Sequence, residues 1–242
     1  MVVKKYLLLI GVVLLLVSSV SAQVYTTGQT DSVTISGKVT DFSGQAIGGA
    51  LIMIKGDDFS QFVDTTYSDR TGQYSLLVKK GKYSELAAVR MEDYSKTKLE
   101  FWAYNIPAYT KLNIDIRYDR LEVYGVNIFQ VQGAYPGYTI YFRPMSLTRF
   151  ATADMTSEII DIAPPANMMD INVIINGESV KINSIQRVEE FAGKQKMYAY
   201  LIQTDLGKPT DAKYNEFQII IEDKENGDKG EAIYFMDKVK YE

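Results

Sequence analysis

The sequence contains no cysteine and no histidine in its 242 residues. The missing cysteines exclude disulfides, thiolate nucleophiles and thiolate-bound zinc. The missing histidines exclude the commonest general base, the serine–histidine and cysteine–histidine nucleophile systems, and nearly all catalytic zinc sites. An enzyme built on this chain would have to use carboxylates, lysine or tyrosine. We therefore predict a non-catalytic protein that holds no metal and no cofactor.

The sequence also has no excess of positive charge. Its 26 basic and 30 acidic residues give a formal net charge of −4. Proteins that bind nucleic acids present clustered basic residues to the phosphate backbone, so we predict no nucleic-acid partner. The hydrophobic content of 46% is that of a folded globular protein, and the 18 tyrosines favour β structure.

The first 22 residues have the pattern of a secretory signal. Two lysines precede the apolar run at residues 7–17, and small residues ending at Ala22 predict cleavage before Gln23. The run is shorter than the roughly 20 residues that a spanning helix needs. We therefore predict no membrane span after cleavage and a periplasmic, cell-surface or extracellular location; an uncleaved anchor is the alternative. Residues 23–31 are polar and are predicted to be a linker.

Residues 32–118 are predicted to form the first domain, with about seven short strands separated by turns. Val33, Ile35 and Val39 alternate with polar residues, which indicates a strand with one buried face. Turns every eight to twelve residues are typical of a β-sandwich. Residues 86–91 fit either a strand or a short helix.

Residues 33–118 resemble the carboxypeptidase regulatory-like domain, a transthyretin-like sandwich. The resemblance rests on turn and packing residues: Gly37, Val39, Asp41, Gly44, Gly49, Ala50, Asp69, Gly72 and Tyr74. Ala46 stands where the family usually has proline, and Asp93–Tyr94 where a Gly–Tyr pair is common. The resemblance implies a non-catalytic appendage of an exported protein, and some members of the family are grouped with carbohydrate-binding folds.

Residues 119–242 are predicted to form a second antiparallel sandwich, immunoglobulin-like in general character. Asn176–Gly177 between two alternating segments predicts a hairpin with a type I′ turn. Residues 184–192 are read as one or two helical turns. The acidic segment 223–231 fails the calcium-binding register of an EF-hand, because its fifth residue is glycine and its sixth aspartate, so it is predicted to be a solvated turn.

The candidate binding residues lie in an aromatic cluster. Tyr135, Tyr138, Tyr141 and Arg143 are predicted to form a stacking platform for sugar rings or for a protein partner, since tyrosine and arginine are favoured interface anchors. The alternative is that alternate aromatic residues face the core.

The sequence thus predicts an exported all-β protein of two antiparallel β-sandwich domains. We expect it to act as an interaction or structural module at the bacterial cell envelope, with an envelope protein as partner. The alternative is a carbohydrate-binding protein that takes a glycan at residues 135–143. A carboxylate-dependent hydrolase is a third possibility.

Overall fold

The computed structural model describes residues 31–56 and 62–238. The predicted signal peptide, residues 1–22, and all but the last residue of the predicted linker, residues 23–31, lie outside the described residues. Within those two described ranges, no helix combines the length and the apolar character that crossing a membrane requires.

The predicted all-β class is confirmed. In the described residues, helical structure is restricted to the single turn α1 (Leu147–Phe150) and a 3₁₀ turn at Ala166–Met168. The strands are β1 (Ser32–Thr40), β2 (Leu51–Lys55), β3 (Phe62–Tyr67), β4 (Gln73–Lys79), β5 (Gly81–Val89), β6 (Phe101–Ala108), β7 (Leu112–Asn113), β8 (Ile116–Arg117), β9 (Leu121–Phe129), β10 (Tyr138–Ser146), β11 (Met169–Ile175), β12 (Glu178–Ser179), β13 (Ile182–Ala192), β14 (Gln195–Thr204), β15 (Tyr214–Asp223) and β16 (Lys229–Asp237).

The strands form three sheets. A long sheet has the order β12-β11-β15-β16-β6-β5-β2-β3. One four-stranded sheet has the order β4-β1-β7, with β8 also paired to β1, and the other has the order β13-β14-β10-β9. Most pairs are antiparallel as predicted, but β1 pairs with β7 and β8, and β6 pairs with β16, in parallel.

Two cores lie on opposite faces of the long sheet. In the first, apolar residues of β1 and β4 pack against β2, β5 and β6; Ile35 and Ile52 are completely buried there. In the second, apolar residues of β9, β10 and β14 pack against β11, β15 and β16; Phe142 and Phe217 are completely buried there.

Strands β6 and β16 contribute side chains to both cores. Ala103 and Phe235 belong to the first core, whereas the neighbouring residues Tyr104 and Tyr234 belong to the second. Because side chains alternate across a sheet, a strand with apolar residues at successive positions can bury both of its faces. The two cores correspond broadly to residues 32–118 and 119–242, but they share one continuous sheet. The division into two domains therefore stays a prediction.

The turn residues of the first core have clear structural roles. Asp41 and Asp69 each accept a hydrogen bond from the hydroxyl group two residues further on, that of Ser43 or Thr71, and these bonds lower the pKa of both carboxyls. The backbone two and four residues further on also donates to each carboxylate and lowers the pKa further. Gly72 has a φ of +82°, which glycine adopts without strain. Gly37 passes so close to Ile114 that a Cβ atom would lie 2.0 Å from the carbonyl oxygen of Ile114.

One predicted hairpin is confirmed and one local prediction is wrong. Asn176 and Gly177 both have positive φ and connect β11 to β12 in a two-residue turn. The helical turns expected at residues 184–192 do not form, because this segment is strand β13, paired along its length with β14. A two-residue loop at Gly193, with φ of +71°, closes that hairpin. The ambiguous segment 86–91 is mainly strand, since β5 extends to Val89.

Candidate functional site

Strand β10 carries three of the four predicted site residues and divides them between two faces. Its burial alternates strictly, so Tyr138 points into the second core while Tyr141 and Arg143 point to the opposite face. A flat platform needs its rings on one face. The predicted platform of Tyr135, Tyr138, Tyr141 and Arg143 is therefore not assembled, and the alternative of core-facing aromatics describes Tyr138.

Tyr138 is a core residue. Only 7% of its surface is exposed, and its ring meets Phe217 edge to face with the ring centres 4.8 Å apart. Its hydroxyl accepts a hydrogen bond of 3.0 Å from the side-chain amide of Asn215. Burial raises the pKa of Tyr138. These contacts stabilise the fold and leave little of the ring exposed.

Tyr141 and Arg143 are held by one carboxylate from another strand of the same sheet. The Tyr141 hydroxyl and the Arg143 guanidinium both donate to Glu190 on β13. The guanidinium also lies over the ring of Tyr124, 5.3 Å from its centre. An arginine that is paired and stacked in this way has little freedom to turn towards a ligand.

Tyr135 differs from the other three because it is 73% exposed. It lies between β9 and β10 and borders a pocket of about 350 Å³. Tyr138 also lines this pocket, and the other polar side chains there are those of Thr139, Lys181, Asn183, Gln203 and Thr204. An aromatic ring beside amide, ammonium and hydroxyl groups suits a ligand with an apolar ring face and many hydroxyl groups.

Asn183 has no sequence signal that marks it as part of this pocket. The pairing of β13 with β14 shifts register between Ile182 and Ser184, which places Asn183 at a bulge. A bulge changes the direction of a side chain relative to the regular strand. The amide of Asn183 donates to Asp205 at 2.8 Å, and the Tyr135 hydroxyl lies 3.5 Å from the same carboxylate oxygen.

The acidic segment 223–231 contains the predicted hairpin turn, which joins β15 to β16, but two of its carboxylates lie in a buried polar junction instead of in solvent. The carboxylates of Asp223 and Asp228 are almost completely buried. Asp223 binds the guanidinium of Arg149, with Nε at 2.6 Å. Asp228 binds Arg120 as well as the hydroxyl groups of Ser146 and Thr148. Every buried carboxylate oxygen here has a protein donor, which makes the junction structural.

No group of three or more acidic residues suited to holding a metal ion is found at residues 31–56 and 62–238. The site thus consists of an open pocket with one exposed tyrosine and several polar side chains.

No protein-family model matches the chain, and no curated protein matches it. Among solved structures, the major pilin subunit of Bacillus cereus is similar at a TM-score of 0.27 and 14% identity, covering 85% of this chain and 69% of that one. The major pilin of Corynebacterium diphtheriae is similar at 0.26 and 10%, covering 78% and 62%. The shaft pilin of Lactobacillus rhamnosus GG is similar at 0.27 and 5%, covering 87% and 100%. TM-scores of this size carry no argument about this chain. The resemblance to the carboxypeptidase regulatory-like domain stays a prediction.

Proposed function

We propose that this protein is a non-catalytic, exported β-sandwich protein that acts as an interaction or structural module at the bacterial cell envelope. The observation that carries the proposal is a pair of open strand edges with exposed apolar side chains and a groove between them. The secretory pattern of residues 1–22 and the absence of histidine and cysteine support it.

The two edges belong to different sheets. In the described residues, β3 pairs only with β2 and ends the long sheet, and β4 pairs only with β1 and ends a four-stranded sheet. An edge strand leaves a row of backbone donors and acceptors that an extended segment of another chain can pair with.

The side chains at these edges are those of a contact surface. Val63 on β3 is 57% exposed and Leu77 on β4 is 64% exposed. Both line a groove of about 470 Å³ that also includes Asp64, Lys79 and Tyr83. The partner that fits is an extended segment whose alternate side chains are apolar, because every second residue of an added strand would face the groove.

Site-specific photocrosslinking in a bacterial host tests this proposal. The full chain, with a C-terminal tag, carries a photoreactive residue at Leu77 or, as control, at Glu178, an exposed residue of β12. We expect a processed protein beginning at Gln23 outside the cytoplasm, and a discrete adduct from position 77 alone. The adduct should disappear when Val63→Lys is added, since charge on an edge strand opposes pairing. Retention in the cytoplasm, or the same adducts from both positions, would contradict the proposal.

Carbohydrate binding is the second candidate, favoured by the pocket beside Tyr135. The test is a panel of polysaccharides and cell-wall fragments titrated with the protein starting at Gln23. We expect saturable binding that Tyr135→Ala removes and that Tyr109→Ala, a change at an exposed tyrosine outside this pocket, leaves intact. A panel without saturable binding, or equal losses in both variants, would reject a glycan site here.

A further inference from the structure

A separate cavity of about 280 Å³ lies beside β9 and β10 and shares no lining residue with the pocket at Tyr135. Its wall is predominantly apolar and includes Leu99, Met145, Phe150, Met155, Ile162 and Met197. Unbranched, polarizable methionine side chains adapt to ligands of different shape. A cavity of this size and character is near the lower end of the range of small-molecule sites.

One carboxyl group, that of Glu122, belongs to the wall of this apolar cavity. Glu122 is only 2% exposed, and its Oε1 accepts a hydrogen bond of 2.6 Å from the indole Nε1 of Trp102. The carboxyl of Glu100 interacts directly with that of Glu122. Two carboxylates in contact oppose each other's ionisation. Burial, reinforced by the charge of Glu100, raises the pKa of Glu122 to about 8, and burial also raises the pKa of Glu100.

The cations near this pair are already bound to other carboxylates. The charge of Lys55 lowers the pKa of Glu100, but Lys55 forms its ion pair, at 3.0 Å, with Glu85. The charge of Arg143 lowers the pKa of Glu122, but Arg143 forms its ion pair with Glu190. The carboxyls of Glu85, Glu100, Glu122 and Glu190 therefore outnumber the two cations, so ionisation of both Glu100 and Glu122 would leave a negative charge without a partner. A buried charge without a partner is costly, so the site favours a ligand that brings a cation.

We propose that this cavity binds a small amphipathic amine, whose apolar chain or ring lies against the methionine side chains and whose protonated nitrogen lies against the Glu122 carboxyl. The bound amine keeps its own proton. The proton shared by the two carboxyls passes to solvent, because the ammonium group stabilises both in their ionised form. A fatty acid would instead add a third carboxyl beside this pair, and a neutral alcohol would leave the negative charge unpaired.

The proposal is independent of the function proposed above, because it concerns a different cavity and a different class of ligand. The charge of Glu122 can also be followed by tryptophan fluorescence. The sequence contains one tryptophan, and that residue, Trp102, donates the hydrogen bond to Glu122. A ligand that changes the charge of Glu122 is expected to change the fluorescence of Trp102.

The experiment measures the binding of n-octylamine, n-octanol and octanoate to the protein starting at Gln23 at pH 7 by isothermal titration calorimetry, with Trp102 fluorescence recorded in parallel to report the charge of Glu122. We expect saturable binding of octylamine that is at least about tenfold tighter than that of octanol, since a charge-assisted hydrogen bond contributes about 1.5–3 kcal/mol. Octanoate should bind more weakly than octanol. Absence of saturable binding, or equal affinities for the amine and the alcohol, would overturn the proposal.

Glu122→Gln is the discriminating variant, because the amide keeps an acceptor for Trp102 and removes the charge. It should abolish the preference for octylamine and leave octanol binding unchanged. Glu178→Gln, at an exposed position outside the cavity, should leave both affinities unchanged. A Glu122→Gln protein that retains the preference for the amine would overturn the assignment.

A second measurement uses the unmodified protein. The titratable and charged groups that interact electrostatically with the Glu122 carboxyl are Glu100, Arg143, Tyr94 and Tyr104. Because binding releases the shared proton, octylamine affinity should rise between pH 6 and 8 while octanol affinity stays constant. An octylamine affinity that is constant or falls over this range would contradict the proton release.

Discussion

The buried carboxyl of Glu122 makes stability depend on pH in a direction opposite to that of most paired carboxylates. Its ordinary pKa of 4.5 is raised to about 8, mainly because burial disfavours the charged form. Between these two values the unfolded chain loses this proton and the folded chain keeps it. The folded state therefore binds more protons than the unfolded state, and the free energy of unfolding must fall as pH rises from about 4.5 to about 8.

Replacing Glu122 with glutamine removes this dependence. One unit of pKa difference corresponds to about 1.4 kcal/mol. Between pH 5.5 and pH 8.5, the parent should therefore lose roughly 3 kcal/mol of unfolding free energy that Glu122→Gln retains. The variant keeps the acceptor for the Trp102 indole. We expect the two proteins to be similarly stable near pH 5.5 and the variant to be the more stable one at pH 8.5.

Urea unfolding followed by Trp102 fluorescence at pH 5.5, 7 and 8.5 measures the difference directly. Other groups with a raised pKa, such as Glu216 and Glu231, also titrate but are present in both proteins and cancel in the comparison. A stability difference that is constant with pH, or that shrinks as pH rises, would refute the reasoning about Glu122.

Two further predictions concern buried contacts. Asp228→Asn should lower the free energy of unfolding by about 2 kcal/mol, because the amide puts an NH2 group where a carboxylate oxygen of Asp228 accepts from Ser146 or Thr148 and so leaves a buried donor unpaired. Urea unfolding at pH 7 measures the loss, and a loss below about 0.5 kcal/mol would contradict the structural role. Gly37→Ala should prevent stable folding or lower the melting temperature by many degrees, because the new Cβ would lie 2.0 Å from the carbonyl oxygen of Ile114. The control is Gly81→Ala, whose new Cβ would have no atom within 4 Å and which should change the melting temperature little. Equal melting temperatures for the two alanine variants would contradict the close approach at Gly37.

Local features of the fold could be predicted from the sequence because local rules determine them. The alternation of Val33, Ile35 and Val39 indicated β1, and the Asn176–Gly177 pair indicated the hairpin between β11 and β12. The parallel pairing of β6 with β16 could not be predicted, because the paired residues Trp102 and Ala232 are far apart in the chain and no local pattern links them.

The candidate sites were harder to predict because burial by distant segments decides them. Alternation along β10 already separated Tyr138 from Tyr141, and that rule could have excluded the shared platform. Glu122 lies between two buried residues of β9, so alternation predicts an exposed carboxylate, yet Trp102 and the cavity wall cover it. Asp228 is followed by a lysine and a glycine and gave the same false indication of exposure.

The central place of β16 has a consequence for the order in which the chain can fold. Residues 229–237 follow β6 at a long distance in the chain, yet they fill the gap between β15 and β6. Until they are synthesised, β6 presents an unpaired edge and both cores lack apolar side chains such as Phe235 and Tyr234. A nascent chain that ends before residue 229 thus has an edge prone to wrong pairing. Completion of both cores must wait until residues 229–237 have been synthesised.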